Sequence, residues 1–376
     1  MKTAIVILNW NTKDFLERFL PILLASIKGC KDTEVIVADN ASTDGSVIFM
    51  KDNFPDIRTI AFEKNFGFTG GYNRAFEQIA GEGCVNAPEY FLLLNTDVEV
   101  PQGWLEPLVG WMDSHPECAA CGPKLHSWKD REMFEYAGAA GGYIDSFGYP
   151  FCRGRIMGKV EHDLGQYDRM HPEVFWSSGA CLLIRSSVFA ELGGFDDRFF
   201  AHMEEIDLCW RMHLAGYSVC NISSSTVYHV GGGTLPSSSP FKLFLNYRNN
   251  LLMLNKNMAR TFAIKHYKDT GDAERSAEAG LSEADRMVRL RMFLDMLSAG
   301  VYLLTFKFKA FGAVIRAHKE YRKLRRPVLK SDIAGFLTER KDIEIRHIFG
   351  KWIVLQQLIY GRKIFAGIHE TDFFKF

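Results

Sequence analysis

Short apolar runs alternate with segments of helical spacing over the first hundred residues of the chain. Apolar or β-branched runs occupy residues 3–8, 34–38, 58–62 and 90–94. Apolar positions recur every three or four residues in 14–27, 46–53 and 72–80. This spacing is typical of helices with one buried face. Strands that alternate with helices predict βαβ units, and therefore an α/β fold with a mostly parallel sheet flanked by helices.

The run 91–100, FLLLNTDVEV, leads from four apolar residues through Asn95 and Thr96 to Asp97. A continuous apolar run favours a strand that is covered on both faces. Ligands of open α/β sheets bind beyond the carboxyl ends of the strands, so Asp97 is a candidate for holding a ligand, directly or through a metal. The alternative is a cap of a turn or helix, a position that Asp and Thr both favour. This segment alone leaves both interpretations open.

Regular patterning weakens between residues 122 and 172, which are rich in Gly, Tyr and charged residues. We interpret this stretch as a loop-bearing insertion. Strand-like residues return at 174–184, followed by helical segments that start at 186 and near 206. Residues 231–240, GGGTLPSSSP, form a cluster that breaks regular structure. We therefore predict two regions, 1–240 and 241–376, with the second one helical to its end.

Charge is distributed unevenly, although the net charge of the chain is zero. Lys and Arg number 19 against 31 Asp and Glu up to residue 240, and 26 against 14 beyond it. We expect the basic, aromatic-rich second region to face an anionic partner, either a membrane surface or nucleic acid. No nucleic-acid recognition motif accompanies this charge, so nucleic acid is not a predicted partner.

Apolar and basic residues interleave between 286 and 326. The uncharged stretch 296–306 would span only ~16 Å as a helix, whereas a hydrocarbon core is ~30 Å thick. A transmembrane helix is therefore not predicted. In one interpretation these helices pack on the first region or on a second subunit, which would make a homodimer. In the other they form an interfacial surface for anionic lipid, and thus a peripheral membrane contact.

The eight cysteines are scattered along the chain. Cys118 and Cys121 form a C-x-x-C, but no second pair or histidine pattern completes a zinc site, and we expect reduced thiols. The apolar run after Lys2 is too short for a signal peptide. The cytoplasm is the expected compartment, at the inner face of the plasma membrane if the basic region contacts lipid.

Polar motifs follow several of the predicted strands. Three of them, at 9–11, 39–46 and 95–97, would form loops that open at the same sheet edge. The motifs are NWN (9–11), DNASTDGS (39–46), NFGFTGGYN (65–73), NTD (95–97), GGFD (193–196) and MEEIDLC (203–209). In this order and spacing they resemble the family-2 glycosyltransferases with a GT-A fold, particularly the rhamnosyltransferase-like branch, over about residues 3–255. The resemblance implies a Rossmann-like catalytic domain in 1–240.

The resemblance implies inverting transfer of a sugar, of rhamnose type or similar, from a nucleotide-diphosphate donor. The acceptor would be a hydroxyl group of a polysaccharide or of a lipid-linked glycan. A non-catalytic nucleotide-sugar or glycan-binding module of the same fold is the alternative, because Asn95 stands where the family has the first Asp of its D-x-D motif.

The same resemblance assigns a nucleotide-binding set. These residues are Leu8, Asn9, Asn11, Asp39, Asn65, Gly70, Gly71, Asn73, Asn95 and Thr96. Asp39 matches the family's nucleoside-holding Asp, and its alternative is an Asx-turn or helix cap. Residues 67–71 are expected to form a glycine loop through which the backbone approaches ribose or phosphate, with Asn73 opening the following helix toward the ligand.

Asp97 matches the last Asp of the family's D-x-D motif, which coordinates Mg²⁺ or Mn²⁺ on the donor diphosphate. The resemblance implies that His229 supplies a further metal ligand, and a purely structural histidine is the alternative.

The Glu204-Glu205-x-Asp207 cluster matches the family region that carries the general base. We assign this role to Glu205, with Glu204 as second candidate and Asp207 as a supporting or capping group. Neighbouring carboxylates and burial both raise a carboxyl pKa. The alternative is a solvated helix N-terminus. Trp176 and Gly179 resemble residues on the acceptor side, where Trp176 could stack on a sugar or simply pack.

Overall fold

The computed structural model describes residues 1–81, 87–232, 239–340, 343–359, 365–368 and 370–374. Its strands are β1 (Thr3–Asn9), β2 (Thr33–Asp39), β3 (Arg58–Ala61), β4 (Tyr90–Asn95), β5 (Val98–Glu99), β6 (Cys118–Ser127), β7 (Gly142–Asp145), β8 (Pro150–Cys152), β9 (Arg155–Ile156), β10 (Lys159–Val160), β11 (Cys181–Arg185), β12 (Ser218–His229), β13 (Ile348–Phe349) and β14 (Phe373–Phe374).

The helices lie between and after these strands. They are α1 (Lys13–Ser26), α2 (Ser46–Asn53), α3 (Gly67–Gly81), α4 (Leu105–Ser114), α5 (Ser186–Glu191), α6 (Glu204–Leu214), α7 (Pro240–Thr270), α8 (Ala273–Leu304), α9 (Phe308–Leu324), α10 (Lys330–Glu339) and α11 (Ile353–Leu358). Among the described helices, none is both long enough and apolar enough to cross a membrane.

The main sheet has the strand order β3-β2-β1-β4-β11-β6-β12-β5 in the described residues. Strand β1 runs parallel to β2 and β4, β2 to β3, and β6 to β12. Strands β11 and β5 pair antiparallel with their neighbours. The predicted α/β fold with a mostly parallel sheet is confirmed.

Both faces of this sheet are covered, as the continuous apolar runs predict. In β1, Ala4 and Val6 pack into the core on one face, which includes residues of α3, α6 and α7. Ile5 and Ile7 pack into the core on the other face, which α1 and α4 cover. Polar side chains that follow these strands therefore emerge only at the sheet edge.

The expected glycine loop at 67–71 is wrong, because these residues form the first turn of α3. Glycine weakens helices, so the sequence favoured a loop. Packing explains the glycines instead. A Cβ on Gly71 would lie 2.7 Å from Cδ1 of Leu8, and one on Gly67 would lie 2.5 Å from the Phe200 ring.

The insertion at 122–172 contains most of a second, smaller sheet of order β10-β9-β8-β7-β13-β14. Strand β13 pairs parallel with β7, and β14 pairs with β13. The expectation that the chain is helical to its end is therefore wrong, since β13 and β14 return to the insertion. Of the cluster predicted to separate the two regions, residues 233–238 lie outside the described residues, and the boundary stays a prediction.

Candidate active site

A cleft of about 1390 Å³ opens at the carboxyl ends of β1 and β4. Ten predicted site residues line it: Leu8, Asn65, Asn95, Thr96, Asp97, Trp176, Gly179, Glu204, Glu205 and His229. Seven others do not: Asn9, Asn11, Asp39, Gly70, Gly71, Asn73 and Asp207. Segments far apart in the sequence thus converge on one cavity.

Asn9 and Asp39 lie buried beneath the cleft and bind each other. The Asn9 amide donates to Oδ1 of Asp39 at 2.8 Å, and Oδ2 of Asp39 accepts from the backbone N–H of Ser42 at 2.9 Å. The latter bond is the Asx-type turn of the alternative interpretation. Base recognition by Asp39 stays a prediction.

Three further members of the predicted nucleotide-binding set do not line the cavity: two bind the backbone with their side chains, and one lies within a helix. Oδ1 of Asn11 accepts from the N–H of Thr43 at 2.7 Å. The Asn73 amide donates to the carbonyl of Phe195 at 2.9 Å, and Oδ1 of Asn73 accepts the N–H of Phe195 at the same distance. Gly70 lies within the first turn of α3. Asn73 therefore fixes the GGFD segment and does not open the helix toward a ligand.

Asn40, which the sequence interpretation missed, lines the cleft together with Asn65 and Gly67. Its amide donates to Oδ1 of Asn65 at 3.0 Å and to the carbonyl of Gly67 at 2.9 Å. Its Oδ1 accepts the N–H of Phe66 at 2.9 Å. The DNAS turn thus holds the start of α3 in place. Asn40 stands next to Asp39 in that motif, and this position was the sequence signal that could have identified it.

His229, at the end of β12, lies between two carboxylates. Its Nε2 is 3.1 Å from Oδ1 of Asp97, and its Nδ1 is 3.5 Å from Oε2 of Glu135. Burial lowers the pKa of His229, but hydrogen bonds and charge from Asp97 and Glu135 outweigh it and raise this pKa to about 10. Burial raises the pKa of Asp97, yet His229 holds it below its ordinary value. Without a metal, Asp97 and His229 therefore form an ion pair.

Asp97 and His229, the predicted metal ligands, meet at the cleft, and Glu135 adds a second carboxylate beside His229. Within the part of the chain that the structure describes, no group of three His, Cys, Asp or Glu side chains forms a ready metal cage. One carboxylate and one imidazole suit an ion whose remaining ligands come from substrate phosphates and water. The donor set fits a substrate-dependent metal better than a tightly held structural one.

Glu204 and Glu205 open α6 and face the cleft. Burial raises the pKa of Glu205 to about 7, against hydrogen bonds from backbone N–H groups. Burial and the charge of Glu205 raise the pKa of Glu204 well above its usual value. The Oε2 atoms of both side chains are buried and have no hydrogen-bond donor among the described residues. Burial therefore favours the neutral form of Glu204, while Glu205 changes charge near pH 7.

The segment 199–203, directly before these glutamates, has a strained backbone. Phe200, His202 and Met203 have φ values of 65°, 70° and 72°, which side-chain-bearing residues rarely adopt. The amide of Asn249, on α7, donates to the carbonyls of Phe199, Ala201 and His202 at 2.8–2.9 Å.

Helix α3 holds the same segment from the other side. The carbonyl of Phe200 accepts the N–H groups of Phe68 at 2.6 Å and of Thr69 at 3.2 Å. The start of α6 is thus positioned jointly by α7 and by α3.

Asp207 is one turn further along α6 and does not face the cleft. It is fully buried and accepts hydrogen bonds from Arg211 at 2.9 Å, Lys256 at 3.0 Å and Asn257 at 2.8 Å. Burial raises its pKa, but these partners hold it below the ordinary value. The structure does not bring Asp207 into contact with the cavity, and its place agrees with a supporting group that anchors α6 to α7.

Known proteins of similar sequence identify the family of this chain. The profile of Glycosyl transferase family 2 matches residues 4–192, half of the chain. The chain belongs to this family. The N-acetylglucosaminyl-diphospho-decaprenol L-rhamnosyltransferase of Mycobacterium tuberculosis is 29% identical over 249 residues, which cover 60% of this chain and 75% of the relative. The rhamnosyltransferase WbbL of Escherichia coli is 24% identical, covering 56% of this chain and 77% of WbbL. The predicted rhamnosyltransferase-like family membership is confirmed.

Solved structures confirm the GT-A fold of this family-2 glycosyltransferase. GalNAc-T7, crystallised with UDP, GalNAc and Mn²⁺, superposes with a TM-score of 0.53 over 70% of this chain and 50% of its own. At 14% sequence identity, this similarity concerns the fold alone.

Trp176, a predicted acceptor-side residue, lines the cleft but is only 3% exposed. Its Nε1 donates to the carbonyl of Tyr143 at 3.0 Å, and its ring packs on Gly142, where a Cβ would lie 1.9 Å from a ring atom. Packing explains Trp176, whose stacking on a sugar stays a prediction. A Cβ added to Gly179 would lie 3.4 Å from Cζ of Phe68 and 3.7 Å from Cβ of Glu205, which are ordinary contact distances, so packing does not require glycine there.

Several residues of the transferase's cleft escaped the sequence interpretation. Besides Asn40 they include Trp10, Glu135, Tyr136, Arg155, Lys242, Tyr247 and Arg291. Glu135, Tyr136 and Arg155 come from the weakly patterned insertion, and Tyr247 and Arg291 from helices beyond residue 240. Among these seven residues, only Trp10, within the NWN motif, gave a local signal.

Proposed function

We propose that this family-2 glycosyltransferase transfers a sugar with inversion from a nucleotide-diphosphate donor to a hydroxyl group of a glycan acceptor. The observation that carries the proposal is the pairing, in one cleft, of Asp97 at the end of β4 with Glu205 at the start of α6. A carboxyl group with a pKa of about 7 is suited to accept a proton near neutral pH.

Glu205 acts as the general base. Its ionised carboxylate takes the proton of the acceptor hydroxyl while that oxygen bonds to the anomeric carbon, and the bond from this carbon to the diphosphate breaks. Glu204 does not compete for the role, since burial and the neighbouring charge of Glu205 raise its pKa and favour its protonated form. Direct displacement of this kind inverts the anomeric configuration.

Asp97 and His229 would hold Mg²⁺ or Mn²⁺. When bound, such an ion offsets the negative charge of the departing diphosphate. His229 must first lose the proton that Asp97 and Glu135 stabilise, because only a neutral imidazole binds a metal. The Mn²⁺ present in the GalNAc-T7 structure supports a divalent ion in this fold.

We propose a rhamnose-type donor and a lipid-linked or polysaccharide acceptor. The support is the name of the Mycobacterium tuberculosis relative, which describes L-rhamnosyl transfer to N-acetylglucosaminyl-diphospho-decaprenol. The cleft volume of about 1390 Å³ exceeds the ~300–1,000 Å³ of ordinary ligand pockets and accommodates a donor together with an acceptor sugar. We propose that the sugar transfer takes place in the cytoplasm.

A transfer assay tests the proposal. The protein is incubated with dTDP-rhamnose or uridine-diphosphate sugars, Mn²⁺ and a lipid-diphosphate-linked N-acetylglucosamine, and nucleotide diphosphate release and acceptor modification are followed. The alternative, a binding module without catalysis, rests on Asn95, which leaves Asp97 as the carboxylate of the NTD motif. Calorimetric binding of nucleotide sugars without hydrolysis or transfer would favour that alternative.

A further inference from the structure

The connection between α8 and α9 exposes large apolar side chains. Leu304 and Phe306 are each 79% exposed and Phe308 is 61% exposed. We call residues 301–309 the hairpin tip. A folded chain rarely leaves several adjacent large apolar side chains in water, and such patches mark interaction surfaces.

An apolar stripe on α8 leads to this tip. Its members recur at helical spacing and are each at least 40% exposed: Leu290, Phe293, Leu297, Val301 and Leu304. Residues three or four apart lie on one face of a helix, so the stripe extends for ~21 Å along α8 at about 1.5 Å per residue. The stripe and the tip form one continuous apolar surface.

Basic residues flank this surface. Lys307 and Lys309 stand within the tip, and Arg316 and Lys319 follow on α9, all of them exposed. Between residues 286 and 326 the chain has eleven Lys and Arg against two carboxylates, Asp295 and Glu320. Asp295 is buried in an ion pair with Arg291 at 2.9 Å. The outward charge of the hairpin is therefore strongly positive.

We infer that the hairpin tip and the α8 stripe dock on an anionic phospholipid bilayer. Apolar side chains enter the boundary between headgroups and acyl chains, while lysines at the same level meet lipid phosphates. A second copy of the chain fits this surface less well, because a two-fold contact would bring two copies of the same basic patch into one interface, whereas lipid phosphates complement its charge. Docking at the boundary between headgroups and acyl chains agrees with the described helices, none of which is long and apolar enough to cross a membrane.

The surface adjoins the active-site cleft. Tyr247 of α7 lines the cleft, and its hydroxyl interacts with Ser298 and Tyr302 of α8. Tyr302 belongs to the hairpin tip, less than one helical turn from Leu304. Docking therefore holds one wall of the cleft close to the bilayer surface, where an acceptor anchored in lipid would be found.

Vesicle co-sedimentation of the full chain, without any substrate, tests this inference independently of the proposed function. One set of vesicles contains phosphatidylcholine with phosphatidylglycerol and the other phosphatidylcholine alone. The wild type binds the anionic vesicles, and high salt weakens the binding. Lys307→Ala/Lys309→Ala lowers the partition coefficient about 30-fold, and Leu304→Glu/Phe306→Glu lowers it at least about tenfold.

Leu164→Glu is the matched control, since Leu164 is 85% exposed in the insertion, outside the hairpin. It leaves vesicle binding unchanged, and circular dichroism shows that all variants fold. Wild-type protein that fails to bind anionic vesicles at low salt overturns the inference. So does a Leu304→Glu/Phe306→Glu variant that binds as the wild type does. Sedimentation showing a dimer that this variant dissociates would assign the surface to a second copy instead.

Discussion

Nε2 of His229 lies 3.1 Å from Oδ1 of Asp97. The two residues are 132 positions apart in sequence and meet because β5, directly after Asp97, pairs antiparallel with the end of β12, with His229 opposite Val98. In this contact the imidazole is a cation that balances Asp97, so metal binding and the protonation of His229 compete.

Metal affinity should therefore depend on pH. Because His229 has a pKa of about 10, each rise of one pH unit below that value favours the neutral imidazole, and Mn²⁺ affinity increases about tenfold per unit. Calorimetry with Mn²⁺ and a nucleotide diphosphate between pH 6.5 and 8.5 measures this slope. In His229→Gln, which has no proton to release, the slope disappears. An equally steep dependence in that variant would contradict a ligand role for His229.

Glu204→Gln should change catalysis little. Burial and the charge of Glu205 raise the pKa of Glu204 and favour its neutral form, which a Gln side chain resembles in shape and polarity. We expect kcat within about threefold of the wild type and an unchanged pH–rate midpoint. Initial rates from pH 5.5 to 8.5 provide the comparison. A decrease of kcat by several hundredfold would assign the general-base role to Glu204 instead of Glu205.

Asn249→Ala should loosen the strained segment 199–203, because three carbonyls lose their shared donor. Displacement of the start of α6 should lower kcat about 10–100-fold, with a smaller change in KM for the donor. Thermal unfolding should show a loss of about 1–3 kcal/mol. Asn255→Ala on the same helix, whose amide bonds the exposed carbonyl of Arg326, is the control. Equal kcat losses in both variants would rule out a specific positioning role.

Gly67→Ala should be costly for two reasons. Gly67 has φ of +75°, and an added Cβ would lie 2.6 Å from the carbonyl oxygen of Phe200. Gly45 has φ of +84°, and no atom of the described residues comes within 4 Å of a Cβ added there, so Gly45→Ala carries the conformational cost alone, about 1–2 kcal/mol. Chemical denaturation of both variants should show a clearly larger loss of unfolding free energy for Gly67→Ala. Equal losses would mean that the Phe200 contact relaxes freely.

The residues that sequence predicts well are those at the ends of buried strands. Asp97 follows a run of apolar residues, and its place at the sheet edge is dictated by burial of that run on both faces. His229 follows a long strand in the same way. Parallel strands deliver their carboxyl ends to one edge of a sheet, but the contact of Asp97 with His229 depends on the pairing of the two-residue strand β5 with β12, which no local pattern predicts.

Other positions depend on contacts that no local pattern encodes. Glu135 reaches His229 only through the fold of the insertion. Asp39 has its carboxylate satisfied by Asn9 and Ser42, a consequence of turn geometry that a motif match does not reveal. Strand β13 has two residues, too few to show a period of two. Its pairing with β7 is a tertiary event.

Replacement of Glu205 by Gln tests the central claim most directly. Wild-type kcat should rise with pH to a plateau through an apparent pKa of about 7, the value that burial gives Glu205. Glu205→Gln should lower kcat by about 10²–10⁴-fold, while calorimetry shows unchanged donor binding and the thermal midpoint stays at or above that of the wild type. Transfer at the wild-type rate by this folded, donor-binding variant would contradict the assignment of Glu205 as the general base.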